Sequence, residues 1–345
     1  MWAFTNQTPF EVERSFVRDR DGAEIWLVAV RATFQFDMRG QLTIAPEQQK
    51  VCLAPTFFGD PGFGTLRYDT DLPRTKVATD VVLHASAYAP AGKPASFVDV
   101  GWSVGSLSKL LRVYGDRLWE RRLGTLAPSA PVPFAVMPIR YERAWGGILP
   151  QGNGRDPLNP AGMGREVLPG RPVPNCTFID APIESPRYEG KPAGFGPIAC
   201  HWQPRVSLAG TYDDQWKRTR QPLVPVDFQD AYFQCAPADQ QVPGFLAGGE
   251  KVVLKNLTPE GFVSFDLPRI AIGFRTEIGG TVVHHERTLH SVVIEPDERR
   301  LIMVWHTALP CHHTLYTLRR TIVFQKRNLS RTPQDSTYSM VPDAS

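Results

Sequence analysis

Thirty-two prolines and 28 glycines punctuate this 345-residue chain, and they constrain its fold more than any other feature. Proline lacks the amide proton that a helix interior needs, and glycine loses more conformational freedom on ordering than any other residue. Long helices are therefore disfavoured almost everywhere. Short strands joined by turns and long ordered loops are what such a chain can form. Hydrophobic residues make up 42% of it, enough for a substantial core and too many for general disorder.

Strand patterning is clear towards both ends. Residues 23–36 (AEIWLVAVRATFQF) are rich in β-branched and aromatic side chains, and Trp26, Val28, Val30 and Ala32 alternate onto one face. Residues 76–88 and 97–104 read as further strands. In SLSKLLRVYGDRLWERR, Leu107, Leu110, Leu111, Tyr114 and Leu118 fall near helical spacing, but Gly115-Asp116 at the centre favours a hairpin. The strand signal returns at residues 251–254, 262–267, 270–274, 281–285, 289–294, 301–305 and 317–324, with a turn at Pro296-Asp297-Glu298.

Between 141 and 249 the periodicity vanishes. Aromatic residues persist there (Trp145, Phe178, Phe195, Trp202, Tyr212, Trp216, Phe228, Tyr232), and they want burial, so an ordered loop is expected and not a linker. The reading is a mainly β protein of two strand-rich lobes, sandwich or barrel-like, bridged by a Pro/Gly/aromatic-rich loop region. Its expected divisions are an N-terminal β lobe at 1–143, a bridging segment at 144–249, a C-terminal β lobe at 250–327 and a mobile tail at 328–345.

Charge argues against nucleic acid as a direct partner. The formal balance is +3 from 38 basic and 35 acidic residues, with only short basic runs such as Arg319-Arg320 and Lys326-Arg327. The opening residues carry no basic start followed by an apolar stretch, and no apolar run approaches the ~20 residues that cross a bilayer. Five scattered cysteines with no C-x-x-C pair suit reduced thiols. A cytoplasmic protein with no membrane partner is the expectation.

Motifs for chemistry are few. Gly101-Trp102-Ser103-Val104-Gly105 is a literal G-x-S-x-G, which in a serine hydrolase sits on a sharp strand-to-helix turn; the surrounding chain lacks the alternating strands and helices that this needs. Six of eight histidines (His284, His285, His290, His306, His312, His313) cluster near the end, but neighbouring histidines on a strand point to opposite faces and no H-E-x-x-H spacing occurs. Phosphate-binding glycine patterns are absent. A serine hydrolase at Ser103 or a metal-dependent enzyme at these histidines is the rival to a binding role, and no cofactor is expected. Residues 202–241 stand out for another reason: Trp, Tyr and Arg recur among turns and prolines, the residue types that dominate protein-binding hot spots.

Taken in order, several strings resemble a bacterial family, domain of unknown function 2169. They include Lys109-Leu110-Leu111-Arg112-Val113-Tyr114-Gly115-Asp116, Tyr141-Glu142-Arg143-Ala144-Trp145-Gly146-Gly147, Asn159-Pro160 with Gly162 and Gly164, and Trp202-Gln203-Pro204-Arg205. Gly210-Thr211-Tyr212-Asp213 with Trp216, Asp227-Phe228, and Ala236-Pro237-Ala238-Asp239-Gln240-Gln241 follow. The resemblance implies an adaptor or chaperone that binds a type VI secretion effector toxin, often a nuclease, and helps load it onto spike and spike-tip proteins. It carries no catalytic residues. The residues expected to touch the partner are Trp145, Arg205, Tyr212, Asp213, Trp216, Asp227 and Phe228.

Overall fold

The computed structural model describes residues 2–326; the expected tail at 328–345 lies outside them. The fold is mainly β, as expected, and built from sheets packed in a sandwich-like manner without a closed barrel. The largest sheet runs in the order Gln241–Val242, Thr79–Leu83, Thr288–Glu295, Arg300–Pro310, Glu24–Phe36, Glu11–Arg18, with Leu42–Ile44 added to Glu24–Phe36. A second sheet orders Cys176–Phe178, Leu107–Tyr114, Phe97–Val104, Lys251–Lys255 and Phe262–Asp266. A third orders Ala3–Gln7, Arg320–Gln325, Ile272–Ile278 and Thr281–His285.

Alternation explains the packing. Trp26, Val28, Val30 and Ala32 share one core cluster with Val100, Trp102 and Leu254 of the second sheet and Phe274 and Val323 of the third. The intervening Leu27 and Ala29 are buried as well, against Val51 and Leu72. The large sheet is therefore covered on both faces, by strands on one side and by irregular chain on the other. This is why residues 26–30 are apolar without interruption.

Two features differ from the sequence reading. The strands expected to form separate lobes are shared out: Glu24–Phe36 pairs with Arg300–Pro310, Thr79–Leu83 with Thr288–Glu295, and Phe97–Val104 with Lys251–Lys255. Strand periodicity reports which face is buried, and says nothing about which distant strand lies alongside. The hairpin expected at Gly115-Asp116 is also absent. Leu107–Tyr114 turns back on Phe97–Val104, and Arg117–Arg122 pairs instead with Thr125–Pro128 and Pro172–Val173. Gly115 serves a close approach, because a Cβ there would lie 1.8 Å from the Val132 carbonyl oxygen. Among the described residues, no helix is long and apolar enough to cross a membrane.

Candidate functional site

Residues 198–240 lie largely outside the main sheets, as a run of short 3-10 turns and one short helix, Asp214–Thr219. Directed polar contacts tie this loop down. The Arg205 guanidinium pairs with Asp69 at 2.8 Å and donates to the carbonyls of Tyr232 (3.0 Å) and Ile198 (2.6 Å). Burial opposes the charge on Arg205, but Asp69 outweighs it and the pKa is raised. Arg74 pairs with Asp230 and lies over the rings of Phe228 and Phe233.

Deeper in, the Asp80 carboxylate accepts from the Gln234 side-chain amide (2.9 Å), the Cys235 backbone amide (2.8 Å) and the Lys76 ammonium. Both Lys76 and Asp80 are almost wholly buried. Burial works against the Lys76 charge, yet its pKa is raised because Asp80 is beside it. The Gln240 amide group donates to the carbonyls of Val81 and Phe195, both at 2.8 Å, and its oxygen accepts from Lys109. A loop with no hydrophobic periodicity is thus given one conformation by groups that would be costly to leave unpaired.

The outer half of the loop is built differently. Asp213 caps the short helix, accepting from the Trp216 backbone amide at 2.8 Å. The Trp216 indole donates to the Leu223 carbonyl at 2.8 Å, and the Tyr212 ring meets Trp216 edge-on at 4.7 Å between centroids. Asp227 accepts from the Thr211 amide (3.0 Å) and hydroxyl (2.8 Å), and these bonds hold its carboxyl below the usual range. Tyr212 is 51% exposed and Val226 75%, with Val206 exposed as well. An aromatic and aliphatic patch therefore sits on the outside of a segment whose base is fixed.

At that base a groove of about 500 Å³ opens to solvent, walled by Tyr141, Phe178, Pro192, Ile198, Pro204 and Pro237. The Lys109 ammonium, buried, bonds Asp239 and Gln240 there.

Residues 21–306 match the family described as an uncharacterized protein conserved in bacteria, DUF2169. The chain belongs to that family. Comparison with curated proteins and with solved structures returned no match.

Of the seven residues expected to touch a partner, this DUF2169 chain presents four at its surface. Tyr212, Asp213, Trp216 and Asp227 come together on the outer loop. The other three lie inside. Phe228 packs on Tyr232, Phe233 and Arg74, and Arg205 is the loop's buried anchor. Trp145 is buried with Trp119, Val173 and Ile183. The glycine-rich string around Trp145 is a close-packed turn: the Asn159 amide donates to the carbonyls of Tyr141 (2.8 Å) and Trp145 (3.0 Å), and a Cβ on Gly146 would lie 2.3 Å from the Asn159 carbonyl oxygen. Gly146 also has φ of 148°, which favours glycine.

The enzyme-like motifs take up ordinary positions. Ser103 lies within Phe97–Val104, opposite Ser108 on one side and Val253 on the other, so its backbone is a paired strand and not a strand-to-helix elbow. The histidines disperse. His290 and His306 stack at 4.4 Å in the interior, His285 lies on Phe274, and His312 and His313 occupy a turn. Among the described residues, no group of three or more His, Cys, Asp or Glu side chains is placed to hold a metal ion.

Sequence reasoning passed over Lys109, Asp239 and Gln240. All three stand in the strings quoted for the family resemblance, but a lone lysine on a strand carries no signal that it meets an acid 130 residues away.

Proposed function

We propose that this chain is a non-catalytic adaptor that grips another protein through the outer surface of the 198–240 loop, centred on Tyr212 and Trp216. The observation that carries the proposal is an aromatic pair, Tyr212 exposed and Trp216 half-buried beneath it, on a loop already fixed by Arg205–Asp69 and the Asp80 cluster. Tyr and Trp bring large contact area at low entropic cost, and a surface ordered before binding loses little more on association. Burial of partner apolar surface by Tyr212, Trp216, Val206 and Val226 is the proposed mechanism.

The partner is proposed to be a type VI secretion effector that the adaptor helps load onto the spike and spike-tip proteins from the cytoplasm. What supports this part is the resemblance of the quoted strings to the adaptor family, together with membership of DUF2169. The test is co-purification of effector with the full chain. The double substitution Tyr212→Ala/Trp216→Ala is expected to abolish retention while circular dichroism and the melting temperature stay near wild type. Val226→Asp, at an exposed position outside the loop's internal bonds, should weaken retention in the same assay. Full retention by both variants would defeat the proposed surface.

A further inference from the structure

The groove at the base of the loop has a composition that the aromatic surface lacks. Three of its wall residues, Pro192, Pro204 and Pro237, have no backbone amide to donate. Tyr141 is buried, and its hydroxyl is committed to the Gly196 carbonyl at 3.0 Å, which leaves its ring to the cavity. Phe178 and Ile198 complete an apolar lining. Such walls contact side chains and offer little to a bare peptide backbone. Cavities of several hundred Å³ with apolar walls and few fixed polar groups are typical binding sites.

The polar group here is cationic. The Lys109 ammonium bonds Asp239, whose two carboxylate oxygens lie at 3.0 and 3.1 Å, and Gln240 (2.8 Å), and it sits 5.8 Å from the centre of the Phe178 ring. Gln240 is itself locked by its bonds to the Val81 and Phe195 carbonyls, so the ammonium is held in place in advance. Lys191, exposed on the rim, adds a second positive charge. Two amino groups against the single Asp239 carboxylate favour an anionic visitor. Burial, only partly offset by Asp239, lowers the Lys109 pKa, as expected for a cation whose surroundings would be improved by another anion.

Openness decides between kinds of occupant. Asp239 and Leu158 are exposed at the mouth, so a small free molecule would remain half-solvated. A side chain tethered to a larger contact would not depend on the groove alone. Resting on the adaptor reading above, we infer that the groove seats a bulky apolar side chain of the partner protein, with a carboxylate one or two residues away that meets Lys109 and Lys191. The groove and the aromatic surface are then two anchors on one loop, because Gln203-Pro204 and Pro237–Asp239 line the first and the residues between them present the second.

Anilinonaphthalene sulfonate, apolar rings joined to an anion, is the probe for this chemistry on the folded full chain. It should bind the wild type with one-to-one stoichiometry. Ala238→Trp, an exposed substitution that fills the mouth, should weaken it by about tenfold or more, and Lys191→Glu by about threefold, the scale of single contacts. Uncharged phenylnaphthylamine should be blind to Lys191→Glu. A short acetylated peptide Leu-Phe-Glu should displace the probe, and Leu-Phe-Lys should not. Equal probe affinity in wild type and Ala238→Trp overturns the groove, and equal displacement by both peptides overturns its charge preference. Retention of effector by Ala238→Trp at wild-type level removes the groove from partner binding and leaves the adaptor reading standing. Probe and peptide behaviour as expected, with no protein ever retained by wild type, leaves the groove and removes its protein occupant.

Discussion

The sheets and the 198–240 loop reach a single conformation by different balances of forces: Ala199 and Trp202 join the loop to the main core, and polar contacts hold the rest of it. Around Val30, Trp102, Leu254 and Phe274 the molecule is held by apolar burial, which is strong in total and indifferent to direction. In the loop, Arg205, Gln234 and Gln240, together with Asp80 on the adjoining strand Thr79–Leu83, each serve several fixed partners over short distances. The difference has a consequence for binding. A segment folded by apolar burial uses up its aromatic residues in doing so. A segment folded by ion pairs and amides at its base can keep Tyr212 and Val226 outside.

Substitutions at the two kinds of anchor should separate these regimes. Asp80→Ala strands the buried Lys76 charge and the Gln234 and Cys235 amides, and should cost about 3–5 kcal/mol in denaturant unfolding. It should also release the loop to proteolysis before the sheets unfold; simultaneous loss of both would show that loop and sandwich are one cooperative unit. Leu254→Ala, a cavity in the sandwich, should cost about 3 kcal/mol with the loop's amide protection falling only as far as global stability does.

A separate effect comes from acid. Burial pushes the His306 pKa down to about 3 and His290 well below its usual value, so both rings are neutral in the folded chain at neutral pH. Unfolded, each takes up a proton near pH 6.5, and the unfolded state binds more protons below that value. Stability is therefore full above pH 6.5 and falls towards pH 4, by about 1.4 kcal/mol per pH unit for each ring. His306→Phe should remove one ring's share of that slope in urea titrations, and an unchanged slope would place the acid sensitivity elsewhere. Smallest is Asp213→Ala, which removes the helix cap. It should cost about 1 kcal/mol locally, seen as faster exchange of amides 214–220 with no shift in the global midpoint.

Much of the β architecture was legible before any coordinates. Trp26, Val28, Val30 and Ala32 announce their strand through side-chain alternation, a property that one segment carries by itself. Pairing is a property of two segments, which is why the sharing of sheets between the two ends was not visible. Gly115 was misread for a related reason: a glycine next to an aspartate signals a turn, and the need to clear the Val132 backbone leaves no mark in sequence. At the proposed surface, Tyr212 and Trp216 were named for the same reason as Trp145, Arg205 and Phe228, a large aromatic or cationic side chain, and these last three are buried. Chemical identity marks which residues are valuable, and burial decides whether folding or binding uses them.

The pairing of Ala3–Gln7 with Arg320–Gln325 sets a schedule for synthesis. At roughly 5–20 residues per second, the ribosome needs on the order of 15 seconds to a minute between delivering those two strands. During that interval Glu24–Phe36 has Glu11–Arg18 and Leu42–Ile44 to lie against, and its other edge waits for Arg300–Pro310. Contacts this distant in the chain also close slowly once available. The nascent protein is thus itself in need of protection from aggregation until almost its last strand has emerged.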